Sequence, residues 1–171
     1  LLGSACISPR VETDYDPEVA FDELRRYAWV AGEPDPATDP RAENDLLEAR
    51  IQRAADAVLG GRGYERTDPA SADFTLSYRV GIERKLDVRT SGHVYTHGYH
   101  WYRGGFGLTT VREYEVAALM LDVMTADDPR LIWRGSREAP LHLAGTPEER
   151  EARVREAVSA ILAKFPPPPA N

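Results

Sequence analysis

Phe74-Thr75-Leu76-Ser77-Tyr78-Arg79-Val80-Gly81-Ile82 places an apolar side chain at every even position and a small, polar or charged residue between. Successive side chains of an extended strand point to opposite faces, so this period of two predicts a long strand with one buried face. The pattern runs on, interrupted at Arg84, into Leu86 and Val88. Alternation returns through Val111–Thr125, where the stretch Ala117–Met124 is apolar on both faces, as a central strand requires. Asp127-Asp128-Pro129 reads as a turn, and Leu131-Ile132-Trp133 opens a further strand. A long antiparallel hairpin plus a third strand is the expected frame of the domain.

Two helices flank this frame. Before it, Leu46, Leu47, Ile51, Ala54, Ala55, Val58 and Leu59 recur at helical spacing. Asp39-Pro40 suits the start of that helix, and Gly60-Gly61 its close, where a left-handed residue is wanted. After the frame, Thr146-Pro147-Glu148-Glu149 is a capping box with proline at the first helical position. Val154, Ala157, Val158, Ile161, Leu162 and Phe165 continue it as an apolar stripe, and Pro166–Pro169 end it. Upstream, Val11, Thr13 and Tyr15 alternate up to Asp16-Pro17, and Tyr27–Val30 forms a second short strand. The order is thus two strands, a helix, three strands and a helix. Two helices with one apolar stripe each should cover one face of an antiparallel sheet, giving an α+β two-layer sandwich. Residues 10–165 form the single domain, 1–9 a tether, and 166–171 a proline-rich tail.

The net charge of −7 argues against nucleic acid as a partner, since phosphate binding needs clustered cations. The 21 basic residues are scattered beside acids, as in Glu83-Arg84-Lys85 and Glu148-Glu149-Arg150, and read as solvated surface. No stretch approaches the roughly 20 apolar residues of a membrane-spanning helix. With one cysteine, no internal disulfide can form.

That cysteine closes Leu1-Leu2-Gly3-Ser4-Ala5-Cys6, which resembles the end of a bacterial lipoprotein signal peptide. The resemblance implies lipidation, including palmitate, on Cys6 and a membrane as partner through that anchor. It departs at Gly3, where leucine is expected. Ile7, rather than aspartate, follows the cysteine, and by the same resemblance implies the outer membrane, with the domain facing the periplasm.

Candidate chemistry concentrates at His93-Val94-Tyr95-Thr96-His97-Gly98-Tyr99-His100-Trp101-Tyr102. His93, His97 and His100 could hold Zn or Cu as neutral imidazoles, yet on a strand His100 would point away from the other two. No Cys, Asp or Glu lies inside the segment to complete a shell, and His142 is the only other histidine. Neither a metal nor another cofactor is therefore expected. The aromatics suit an adaptable contact surface, and Tyr99, Trp101 and Tyr102 are the expected partner-binding residues at the tip of the hairpin. No nucleophile motif or phosphate loop occurs. Asp14, Asp16 and Asp22 read as solvated carboxylates, and Asp122 as the acceptor for the turn at Thr125–Asp128. No enzyme is expected.

Several pieces together carry a wider resemblance: Asp14-Tyr15-Asp16-Pro17, Tyr27-Ala28-Trp29, Gly61-Arg62-Gly63-Tyr64, Ala72-Asp73-Phe74-Thr75-Leu76-Ser77-Tyr78, and Leu119-Met120-Leu121-Asp122-Val123 leading to Leu131-Ile132-Trp133-Arg134-Gly135. In order and spacing the chain resembles the bacterial envelope lipoproteins carrying the domain of unknown function 4136. It departs from them at Ala117-Ala118, where a glycine-threonine pair is expected. The resemblance implies an envelope location and an α+β domain, and supplies no molecular function. The expectation is a lipid-anchored binding or assembly module with a possible envelope protein partner. The alternative is a periplasmic carrier of a small ligand or metal, using the His/Tyr-rich loop.

Overall fold

A computed structural model describes residues 10–31, 39, 41, 44–92, 107–141 and 144–168. Six strands, β1 (Val11–Tyr15), β2 (Arg26–Trp29), β3 (Glu65–Arg66), β4 (Phe74–Gly92), β5 (Gly107–Thr125) and β6 (Leu131–Pro140), form one sheet in the order β1-β6-β5-β4-β2-β3. Helices α1 (Asp45–Gly60) and α2 (Pro147–Leu162) pack against each other on one face. The α+β sandwich expected from the sequence is the observed architecture.

The hairpin of β4 and β5 is paired without a break from Phe74↔Thr125 to Gly92↔Gly107. β5 lies between β4 and β6, with Leu119, Leu121 and Val123 in the core and Ala118, Met120 and Met124 half-buried on the other face. Phe74 and Leu76 are fully buried among Ile51, Val158 and Ile161 of the helices, with Tyr78 and Val80 packed on the same cluster. Leu76→Ala is expected to cost about 2–5 kcal/mol in chemical denaturation, the range for a buried leucine. A cost under about 0.5 kcal/mol, as for a surface site, would place that face outward.

The sheet is mixed rather than wholly antiparallel: β2 runs parallel to β4 and to β3. The reason is the connection. The chain leaves β2, crosses the face as α1 and returns, and such a crossover delivers the next strand parallel to the first.

Three local readings are also corrected. The cap of α1 is Asn44, whose side chain accepts from the Leu47 amide at 2.9 Å, while Asp39 pairs with Arg41. The left-handed glycine is Gly63 (φ +87), two residues beyond Gly61, because the chain turns until the Tyr64 amide reaches the Leu59 carbonyl. The proline-rich tail does not begin cleanly at Pro166. Phe165 and Pro167 are both buried, and the Arg62 guanidinium donates to the Leu162 and Phe165 carbonyls at 2.6 Å each. A cation there satisfies the free carbonyls at a helix C-terminus.

Tertiary ties hold the edge of the sheet to the helices. Asp56 of α1 accepts from Tyr27 Oη (2.8 Å), Trp29 Nε1 (3.0 Å) and the Arg66 guanidinium (2.7 Å). Burial, reinforced by this bond to Asp56, pushes the Tyr27 hydroxyl well above the usual tyrosine range, so it serves as a permanent donor.

Candidate ligand cleft between the helices and the sheet

Where the two helices begin, the sheet runs on beneath them. Val80, Leu119 and Arg137 lie side by side across β4, β5 and β6, and Ile82, Ala117 and Ala139 form the next rung. Alanines at two positions of that rung, and Ala157 on α2 above, fill less space than the leucines and phenylalanine deeper in the core. The result is a cleft of about 510 Å³ with an apolar floor, inside the usual ~300–1,000 Å³ range of small-molecule sites.

Five arginines line this cleft: Arg41, Arg50, Arg137, Arg150 and Arg153. Arg41, Arg50 and Arg137 are paired with carboxylates. Arg41 bridges Asp39 (2.7 Å) and Glu115 (2.9 Å), Arg50 faces Glu151 at 3.5 Å, and Arg137 Nη2 donates to Glu156 at 2.7 Å. Arg153 Nη2 donates to the Ala144 carbonyl at 2.9 Å. The Arg41 guanidinium holds the Asp39 carboxyl at about 2 and also lowers Glu115, so this part of the rim keeps its charges across ordinary pH.

Arg137 is unusual among them. Its side chain is only 9% exposed, and its Nε is buried with no hydrogen-bond partner among the described residues. A buried donor left unpaired costs roughly 1–3 kcal/mol. Asn44 of the first α1 cap and Arg150 in the first turn of α2 also line the cleft. Both helices therefore present their positive ends to it.

Cys6, Tyr99, Trp101, Tyr102, His93, His97, His100 and His142 lie outside the described residues. Among the described residues no group of three His, Cys, Asp or Glu is placed to hold a metal. No described helix is long and apolar enough to cross a membrane. Asp16 pairs with Arg130 at 2.8 Å, Asp14 lies opposite Arg134 in the sheet, and Asp22 sits in the turn Phe21–Glu23. Asp122 does not serve the Thr125–Asp128 turn. It is buried on the open face of the sheet, bound by Arg134 (2.6 Å) and Arg79 (2.9 Å), because strand pairing sets Arg134 directly beside it. Thr125 Oγ1 serves the turn instead, accepting from the Arg130 amide at 3.0 Å.

Glu83, Arg84, Glu148, Glu149 and Arg150 are exposed, as read, but the basic residues are not simply scattered, since the fold gathers five arginines at one cleft. A signal was present: Arg50 lies in the second turn of α1, and Arg150 and Arg153 are spaced three apart in α2. Arginines at that spacing share a helix face.

Comparisons with known proteins bear on the fold. A PDZ domain protein from Parabacteroides distasonis is similar at 13% identity and a TM-score of 0.57, over 92% of this chain and 35% of that one. The present chain thus spans about a third of that protein. A protein of the DUF4136 family from Bacteroides thetaiotaomicron is similar at 14% identity and a TM-score of 0.51, covering 92% of this chain and 96% of that one. The PelC dodecamer from Paraburkholderia phytofirmans gives 11% identity and a TM-score of 0.45, over 91% and 96% of the two chains. A search of the curated proteins finds no match. The family described as "Domain of unknown function (DUF4136)" matches residues 11–167. With nearly the whole chain inside that match, the protein belongs to the DUF4136 family.

Proposed function

We propose that this protein is a lipid-anchored binding module of a bacterial cell envelope, with the arginine-lined cleft as its ligand site. The observation that carries the reading is the cleft itself, where an apolar floor is lined by five arginines. Such a combination of apolar volume with a few convergent polar groups is the usual form of a binding site. The sequence Leu1–Cys6 supports the anchor, and Ile7 supports the outer membrane with the domain in the periplasm. The tether is tested by Cys6→Ser in the full-length precursor. Incorporation of a fatty-acid analogue should vanish, and the protein should leave the membrane fraction. Wild-type protein that washes off membranes as readily as the variant would contradict the anchor.

A second reading, assembly with an envelope protein, is favoured by the far end of the hairpin. β2 pairs with β4 only over Phe74–Leu76, and β6 follows β5 only to Val116. Beyond these points Leu86, Val88 and Val111 are more than half exposed on strands that run past the rest of the sheet. Exposed strand edges with apolar side chains are pairing surfaces. Tyr99, Trp101 and Tyr102 lie in the segment joining those two strands and are the proposed contacts of such a partner.

A further inference from the structure

Among the described residues, nothing pairs with the outer edge of β4 beyond Leu76. The Val30 amide donates to the Leu76 carbonyl at 3.0 Å, so even-numbered residues of β4 aim their backbone groups out of that edge. The register with β5 is unbroken to Gly92, which carries this alternation through Ile82, Arg84, Leu86, Val88 and Thr90. On the far side of the hairpin the Glu115 carbonyl turns away from β4 to accept from the Leu141 amide at 2.9 Å, as the same alternation requires. Such a row of outward donors and acceptors is a template for a further strand. We infer that this strand is β4 of a second copy, paired antiparallel about a two-fold axis at Leu86. The inference rests on the reading of the hairpin edge as a pairing surface and names its partner.

Charge selects both the occupant and the register. A two-fold axis through the sheet keeps each face on its own side, so odd positions meet odd ones and even positions meet even ones. Centred on Leu86, the pairing sets Lys85 opposite position 87 of the second copy, an aspartate, and Glu83 opposite position 89, an arginine. The symmetry repeats both matches. All four are odd positions and form the pairs without backbone hydrogen bonds, where facing residues stand closest. Neighbouring axes do worse. At Lys85, lysine meets lysine and Glu83 meets Asp87; at Asp87, aspartate meets aspartate and Lys85 meets Arg89. At Arg84, arginine meets arginine, and at Val88 the lysine at 85 is left opposite Ser91. On the helix-side face, the axis at Leu86 sets that leucine against its own copy and Val88 against the stem of Arg84. This covers two side chains that are 66% and 58% exposed. Lys85 is held by Glu138 at 2.6 Å, and its ammonium keeps further donors for an aspartate.

The test uses the full chain carrying Cys6→Ser and sedimentation equilibrium over a range of concentrations, where the chain should exchange between monomer and dimer. Lys85→Glu and Asp87→Lys should each weaken the dimer at least tenfold, because like charges then meet across the axis. Mixed in equal amounts, the two variants should recover it, since each restores the other's complement. General loosening of the fold would not give that recovery. Leu86→Pro removes an outward amide and spares the ladder to β5, so it should give a monomer with an unchanged circular dichroism spectrum. Leu86→Cys, in a chain then holding no other cysteine, should form an intermolecular disulfide, because facing residues of such a pair lie about 5.5 Å apart between Cα atoms. Val88→Cys, offset from its own copy, should not. A dimer that survives Leu86→Pro, or charge variants that dimerise as well alone as mixed, would overturn the inference. A chain monomeric at every concentration would overturn the second copy, and a photo-crosslinker at Val88 in the native envelope then separates two outcomes. Joined to a different protein, it keeps the edge a pairing surface; joined to nothing, it removes that reading as well.

Discussion

Phe165→Ala is expected to lower stability by about 3–5 kcal/mol, the usual cost of truncating a buried phenylalanine. The residue stands three places beyond the last turn of α2, yet only 1% of it is exposed. Its ring meets Trp133 at 5.2 Å, Phe74 at 5.7 Å, Tyr64 at 5.8 Å and Phe21 at 6.0 Å between centroids, the first and last edge-on. One side chain thus joins β6, β4, the chain after α1 and the turn before β2. Deletion leaves a void bordered by rigid rings that cannot collapse into it, which puts the cost in the upper part of the range. A melting temperature roughly 6–20 °C lower follows for a chain of this size. A drop under about 3 °C would mean that the residues after α2 are not part of the core.

Arg134→Ala is the second large effect, about 3 kcal/mol, and arises from electrostatics rather than volume. The Asp122 carboxylate is 9% exposed and takes two hydrogen bonds from Arg134, at 2.6 and 2.8 Å, and one from Arg79. Removing one partner of a buried pair typically costs about 3–5 kcal/mol, and the lower end applies because Arg79 stays. Arg134 itself is 35% exposed, so Asp122→Ala, which strands only a cation that water can reach, should cost less. Equilibrium urea denaturation of both variants checks the ordering. An aspartate variant weaker than the arginine variant would reverse the assignment of which charge is buried.

The frame of the fold was legible because its signals are local. Alternation from Phe74 to Ile82 and the capping box at Thr146–Glu149 each lie within a few residues, and both are found as read. The parallel pairing of β2 was not legible, since Tyr27↔Phe74 joins residues 47 apart through a crossover, and no short pattern encodes it. The same limit applied to Asp122. It reads as a turn acceptor from its near neighbours, whereas Arg79 lies far away in sequence and enters only through strand register. The cleft was the least legible feature. Its floor comes from three strands and its arginines from both helices, β6 and the segment before α1, so their convergence exists only once the sheet is assembled. Reading each arginine beside its neighbouring acid gave a solvated surface, and Arg84 and Arg150 are indeed exposed, but that reading could not show which arginines share one cleft.

The most direct test of the central claim is a crystal structure of the full acylated chain, purified from its own envelope without delipidation. The account predicts density for a bound molecule over the cleft floor between Val80 and Ala139, with a polar group within hydrogen-bond distance of a lining arginine. A cleft holding only solvent, or closed by the protein's own side chains, would contradict it.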